Sequence, residues 1–143
     1  MKVAFCRSNT ISSWAVRFLT WSPYSHCVLV AADGTTVEAV WPRVKASTLS
    51  AVLADNGTVH LVDFPCADPA SALDWARLQV GRPYDWRAIL GFVFHRDWAD
   101  PHEWFCSEFV AEAFAEGGSP LLRPGALGRV TPQDLWMLPG VDL

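Results

Sequence analysis

Strand-like apolar runs dominate the first part of the chain, and the main helical periodicities come later. "KVAFC" (2–6) reads as a short buried strand. "SNTISSWAVRFLTW" then places Ile11, Trp14, Ala15, Phe18 and Leu19 at helical spacing, with Ser and Thr available as caps. "SHCVLVAADGTTVEAVW" (25–41) carries two β-rich runs around Asp33-Gly34 and predicts a hairpin. "TVHLVDF" (58–64) is a further strand. "ADPASALDWARLQVG" is punctuated as a helix, with Asp68 as N-cap, Pro69 at the first position and Gly81 as the stop. "RPYDWRAILGFVF" predicts a turn into a short apolar helix, and Asp100-Pro101 opens the approach to the segment "EWFCSEFVAEAF" (103–114). There Phe105, Phe109, Ala113 and Phe114 share one face of a helix that ends at "EGG" (116–118). The Pro- and Gly-rich tail is expected to wrap the surface, with one turn near Thr131–Trp136. Strands first and helices later favour α+β over a doubly wound parallel sheet.

Composition narrows the class. The 143 residues fit one domain, 1–143, large enough for a full hydrophobic core. With 51% hydrophobic and 18% charged residues the chain is globular rather than disordered. A net charge of −4, without a Lys/Arg-rich run, argues against nucleic acid or anionic lipid as the main partner. Eight Trp and eight Phe point to an aromatic-rich core and an aromatic-lined cleft, with Trp14, Trp21, Trp75 and Trp86 read as core or cleft wall. Cys6, Cys27, Cys66 and Cys106 are scattered without a CxxC pair, which fits reduced thiols in a cytosolic protein. The N-terminal apolar stretch is too short for a signal peptide, and no run approaches the ~20 apolar residues of a membrane span. The expected setting is cytoplasmic.

Cys106 lies near the start of its helix, where backbone N–H groups and roughly half a positive charge lower a thiol pKa. To act as a nucleophile it needs a base within reach and a third group to orient that base. His26 opens a predicted strand, His60 sits inside another, and His95 and His102 precede Cys106. His95, His102 and Cys106, spaced by seven and four, match no common zinc pattern, so neither metal nor cofactor is expected.

The order of "YSHCVLV", "TTVEAVW", "GRPYDW" and "FCSEFVAEAF", closed by "TPQDLW", resembles the NlpC-type papain-like cysteine hydrolases. It resembles the circularly permuted branch in particular, which includes YiiX-like proteins and lecithin–retinol acyltransferase, and the likeness runs from about residue 2 to 136. The resemblance implies a permuted papain-like α+β fold: a small antiparallel sheet against helices, with the nucleophile at a helix N-terminus. It makes Cys106 the nucleophile, His26 the base, Glu38 the third polar residue and Tyr84 a substrate-binding residue of the "PY" segment. The backbone N–H of Cys106 would then be the oxyanion donor. The activity so implied is peptidase or amidase action, on peptidoglycan-type or other small peptides. The same branch also allows a thioesterase or acyltransferase on lipid-like substrates. Without a signal peptide, the peptides would be cytosolic, or wall fragments reached after lysis or phage release. Two other classes would keep the fold without this chemistry: a non-catalytic binding domain, and a structural part of a phage or effector. The oligomeric state is not readable from the chain.

Two local features run against this assignment. A two-residue turn at Asp33-Gly34 would set Glu38 opposite Leu29, on the face away from His26, unless a bulge or another loop register intervenes. Asp100-Pro101-His102-Glu103 has the form of a capping box, and a helix starting there would bury Cys106 in its second turn. Cys27, adjacent to His26 on a strand, is expected to point to the opposite face, into the core.

Overall fold

The computed structural model describes residues 1–85, 104–123 and 130–143. In chain order the elements are β1 (Lys2–Arg7), α1 (Ile11–Thr20), β2 (His26–Val30), β3 (Thr35–Val40), β4 (Arg43–Thr48), α2 (Leu49–Asp55), β5 (Thr58–Asp63), α3 (Pro69–Leu78), α4 (Cys106–Glu116), α5 (Pro132–Trp136) and β6 (Val141–Asp142). The strands form one open sheet in the order β4-β3-β2-β1-β5-β6, with every pairing antiparallel. The architecture is α+β.

Strand alternation gives the sheet two apolar faces. Val3, Phe5, Cys27, Leu29, Val37 and Val62 point to the side where α3, α4 and α5 pack, and with Phe105, Phe109 and Phe114 they form the main core. Ala4, Cys6, Val28 and Val30 point the other way, where Val52 of α2 closes a smaller cluster. The termini are tied in: the Met1 ammonium lies 2.8 Å from Asp63, and Leu143 N–H donates to Leu61 O.

The caps follow the sequence. Asp68 accepts from Ser71 N–H at 3.0 Å with Pro69 behind it. Thr131 and Asp134 form a reciprocal capping box on α5. α3 ends at Leu78, before Gly81, which has φ +94°. The predicted short helix after Tyr84, with Trp86, and the His95 and Asp100–Glu103 capping-box segment that follows it lie outside the described residues.

Gly117 closes α4 against the start of α3, and its N–H bonds Ala113 O while its carbonyl accepts from Asp68 N–H. A Cβ there would stand 2.8 Å from Cys66 Sγ and 2.9 Å from both Ala72 Cβ and Asp68 O. Two of these three neighbours cannot swing aside. Gly117→Ala is therefore expected to destabilise the fold by about 1–3 kcal/mol. A chemical-denaturation midpoint that stays put would show that the α3–α4 junction can relax.

Candidate active site

The sheet places the site through its hairpin register. β2 and β3 are joined at Leu29↔Val37 and Val30↔Thr36, and Ala31 N–H donates to Thr35 O. The loop is thus Ala32-Asp33-Gly34, three residues rather than two, with Gly34 in the left-handed region at φ +82°. The Asp33 carboxylate accepts from Thr35 N–H at 2.9 Å and holds this turn. The extra residue shifts the register by one. Carried one step further, it sets Glu38 beside Val28, on the same face as His26 and diagonal to it. The expected two-residue turn is corrected here, and with it the expected misplacement of Glu38.

The carboxylate and the imidazole meet. His26 Nε2 and Glu38 Oε2 are 2.6 Å apart, and Lys45 Nζ of β4 lies 3.4 Å from the other carboxylate oxygen. The Glu38 side chain is 7% exposed and that of His26 17%. Burial alone would push the Glu38 carboxyl up, but hydrogen bonds and charge from His26 and Lys45 outweigh it and hold the group below its ordinary value.

The thiol arrives from the other side of the sheet. Trp104 N–H donates to Pro83 O and Asp85 N–H to Trp104 O, each at 3.1 Å, so the "PYD" segment is strapped to the residue before the helix. Phe105 is extended at φ −86°, ψ 149°, and its ring packs at 5.9 Å on Tyr84. The first helical bond is Phe109 N–H to Phe105 O at 2.9 Å. Cys106 is therefore the first helical residue, in the first turn rather than the second. Its N–H is one of those left without an intrahelical acceptor. Ser107, next in the chain, anchors this turn by donating to Val130 O at 2.6 Å.

Cys106 is fully buried, and His26 and Cys27 are the neighbours that act on its thiol. Burial pushes its thiol up, but hydrogen bonds from Cys27 and His26, the charge of the imidazole and the Cys27 backbone N–H together hold it well below the ordinary value. His26 shows the complementary shift. Burial would lower it, yet its bonds to Cys106 and Glu38 raise it from 6.5 to about 9. The two shifts run in the directions that favour a thiolate–imidazolium pair.

Cys27 points to the core face, opposite His26, as strand alternation predicts. That face is also the one on which α4 packs, so Cys27 neighbours Cys106 and its thiol and N–H help to lower the Cys106 thiol. The sequence reading left this residue out, and Lys45 as well. Cys6 is buried and its thiol is pushed up to about 12, first by burial and then by the charges of Glu38 and Cys106. That keeps it protonated.

A cavity of about 410 Å³ opens beside the pair, lined by His26, Glu38, Lys45 and Tyr84 and by Ser13 and Val16 of α1. Cys106 has no exposed surface of its own. The Tyr84 hydroxyl is raised, mainly by burial and then by the nearby Cys106 charge, so it stays a neutral donor. His60 is elsewhere: its Nδ1 lies 2.8 Å from the Tyr24 hydroxyl, beside Trp136. His95 and His102 lie outside the described residues. Among the described residues no three His, Cys, Asp or Glu side chains are grouped to hold a metal ion.

No family model matches the chain. It is similar to the probable lipoprotein peptidase YaeF of Escherichia coli K12, with 25% identity over 92% of this chain. The chain spans 60% of the length of that relative. The whole architecture is similar to the crystal structure of metalloprotein yiiX from Escherichia coli O157:H7, with a TM-score of 0.71 and 20% identity. That match covers 99% of this chain and 94% of the other. The chain is thus similar to YaeF- and YiiX-like proteins and shares the fold of the latter. No described helix is long and apolar enough to cross a membrane.

Proposed function

We propose that this protein is a cysteine hydrolase of permuted papain-like architecture, with Cys106 as nucleophile, His26 as base and Glu38 orienting the imidazole. One observation carries the reading: an imidazole at a cavity wall bonds a buried carboxylate at 2.6 Å, and the thiol at the start of α4 is the neighbour that most raises it. Nucleophilic catalysis needs this set in this order. The similarity to a protein named as a probable peptidase supports an amide bond as the target.

The Cys106 thiolate attacks the carbonyl carbon, and the carbonyl electrons move to oxygen. The N–H of Cys106, in the first turn of α4, would stabilise that oxyanion. His26, holding the proton taken from the thiol, gives it to the leaving amine as the C–N bond breaks. Water then attacks the thioester with His26 as base, and the acid departs. Glu38 holds the ring through Nε2 and stabilises its charge. Tyr84, at the cavity wall, would donate to the substrate. The yiiX protein is described as a metalloprotein. Here the Glu38 oxygens face His26 and Lys45, so the cluster does not fit a metal site and no step needs one. Peptides fit the reading best. Acyl esters remain the alternative substrate class, favoured by the aromatic residues beside the cavity.

Iodoacetamide labelling against pH tests the pair. Because Cys106 is covered, its rate depends on both access and thiolate fraction, but access scales all pH values alike. Wild-type Cys106 is expected to label at a nearly constant rate from pH ~6 to ~9, where a free thiol of pKa ≈ 8.5 would change more than tenfold. In His26→Ala the profile should become that of an ordinary or raised thiol. A wild-type profile that rises like those of Cys6, Cys27 and Cys66 would remove the enzyme reading.

A further inference from the structure

A helix on a protein surface ordinarily turns its apolar side inward. α1 turns its large aromatic side chains outward. Trp14, Phe18 and Trp21 fall in one stripe at i, i+4 and i+7, and they are 60%, 66% and 88% exposed. Among the described side chains the inner side carries Ser13, Val16 and Thr20: Val16 packs on the main core, while Ser13 and Thr20 are buried, with the Ser13 hydroxyl donating to Ser25 Oγ at 2.6 Å and the Thr20 hydroxyl to Val16 O at 2.8 Å. The Ser13–Ser25 bond and the seat of Val16 hold the helix in this orientation. The two outer rings of α1 stack at 5.5 Å with an interplanar angle of 13°.

Trp21 adds a second observation. It caps the helix in the left-handed region, φ 52° and ψ 30°, where glycine is the usual residue and a bulky side chain is strained. A large aromatic is kept where the backbone disfavours it, and it is almost wholly in solvent.

Charge selects the occupant. The chain has 15 acidic and 11 basic residues, yet residues 1–32 contain no Asp or Glu. Arg17 lies within α1, and exposed Arg7 stands four positions before its first residue. The area argues against a second copy. Three aromatic side chains supply at most 150–250 Å² each, short of roughly 800 Å² per partner in a stable pair. Tryptophan with flanking arginine suits the boundary between phospholipid headgroups and acyl chains.

We propose that α1 docks the protein on a phospholipid bilayer bearing anionic lipid, with Trp14, Phe18 and Trp21 inserted at the headgroup boundary. The net acidity of the chain, which argued against such a surface, is carried by residues 33–143. The inner side of the same helix lines the cavity through Ser13 and Val16, and exposed Trp41 stands at that cavity too. Docking would bring the cleft to the lipid surface. This concerns where the protein works and stands whether or not Cys106 turns over.

The test is co-sedimentation with vesicles of phosphatidylcholine alone and of phosphatidylcholine with phosphatidylglycerol at about 3:1, at low salt. Wild type should bind the mixed vesicles about tenfold more tightly than the neutral ones or better, and salt should weaken the binding. Trp14→Ser with Phe18→Ser should cost about tenfold or more. Trp21→Gly separates docking from folding: it relieves the strained cap, so thermal stability should hold or rise while vesicle binding falls. Absence of wild-type binding to mixed vesicles would overturn the proposal, as would binding indifferent to all three substitutions. A wild-type dimer that the double variant turns into a monomer would assign the ridge to a second copy instead.

Discussion

Cys106→Ser is expected to lower hydrolysis of a p-nitrophenyl acyl ester or a peptide anilide by about ten-thousand-fold or more, with the fold intact. The size follows from what is lost. A serine hydroxyl in the same place keeps the bonding options toward His26 and the Cys27 N–H, so the surroundings need not repack. Its pKa, however, lies far above that of the thiol. The environment that stabilises a thiolate here cannot make an alkoxide: it supplies one imidazolium, one thiol and one backbone N–H. The ground-state ion pair vanishes, and the attack must await proton transfer to His26. Mass spectrometry sharpens the test, because wild type should carry an acyl group on Cys106 early in the ester reaction and the variant should not. Turnover that survives in Cys106→Ser would move the nucleophile elsewhere. Cys27, beside it, would be the next thiol to examine.

Legibility in the sequence varied for physical reasons. The β1–β2–β3 core was visible because unbroken apolar runs such as "CVLV" allow little but a buried strand. α3 and α5 were visible because Asp68-Pro69 and Thr131-Pro132 carry start signals. β4 and α2 were not anticipated: β4 buries only Val44 and α2 only Val52, so neither leaves a periodic trace. β6 has two exposed residues and is defined by pairing alone. α1 was found as a helix, but its orientation was not. The apolar stripe was taken to face the core or cleft, whereas Trp14 and Trp21 face outward. Trp75 does pack on the core, against Phe109.

The site itself shows what spacing cannot carry. Cys106 was placed by its helix, and the extended Phe105 confirms where that helix begins. Glu38 depended on one residue of loop length, which the Asp33-Gly34 pair leaves open. Whether the carboxylate met His26 was decided by the Asp33–Thr35 turn, a contact invisible to alternation. Cys27 was correctly sent to the core, yet the core and the site share a boundary at the start of α4. A residue can belong to both.

His26→Ala is expected to reduce turnover by about a hundred- to ten-thousand-fold, and Glu38→Gln by only about ten- to a hundredfold. The difference reflects position: His26 moves the proton, while Glu38 acts through His26. Rate against pH distinguishes the two roles more sharply than magnitude does. On the proposed mechanism the thiolate–imidazolium pair would persist up to about 9, where His26 loses its proton. Activity that needs His26 as the acid should fall above that value. Stability follows the same group: a raised imidazole pKa contributes fully below its ordinary 6.5, and that contribution is lost as pH rises through about 9. Glu38→Gln removes a hydrogen bond and a charge that both raise His26, while the burial that lowers it remains. The alkaline limb should therefore move to lower pH, and the alkaline loss of stability should begin earlier with it. Lys45→Met makes the control, because it removes a neighbour of Glu38 that does not touch the ring. Its effect on the limb should be small. If Glu38→Gln lowers the rate but leaves the alkaline limb near 9, the carboxylate does not set the imidazole, and the 2.6 Å contact is structural alone.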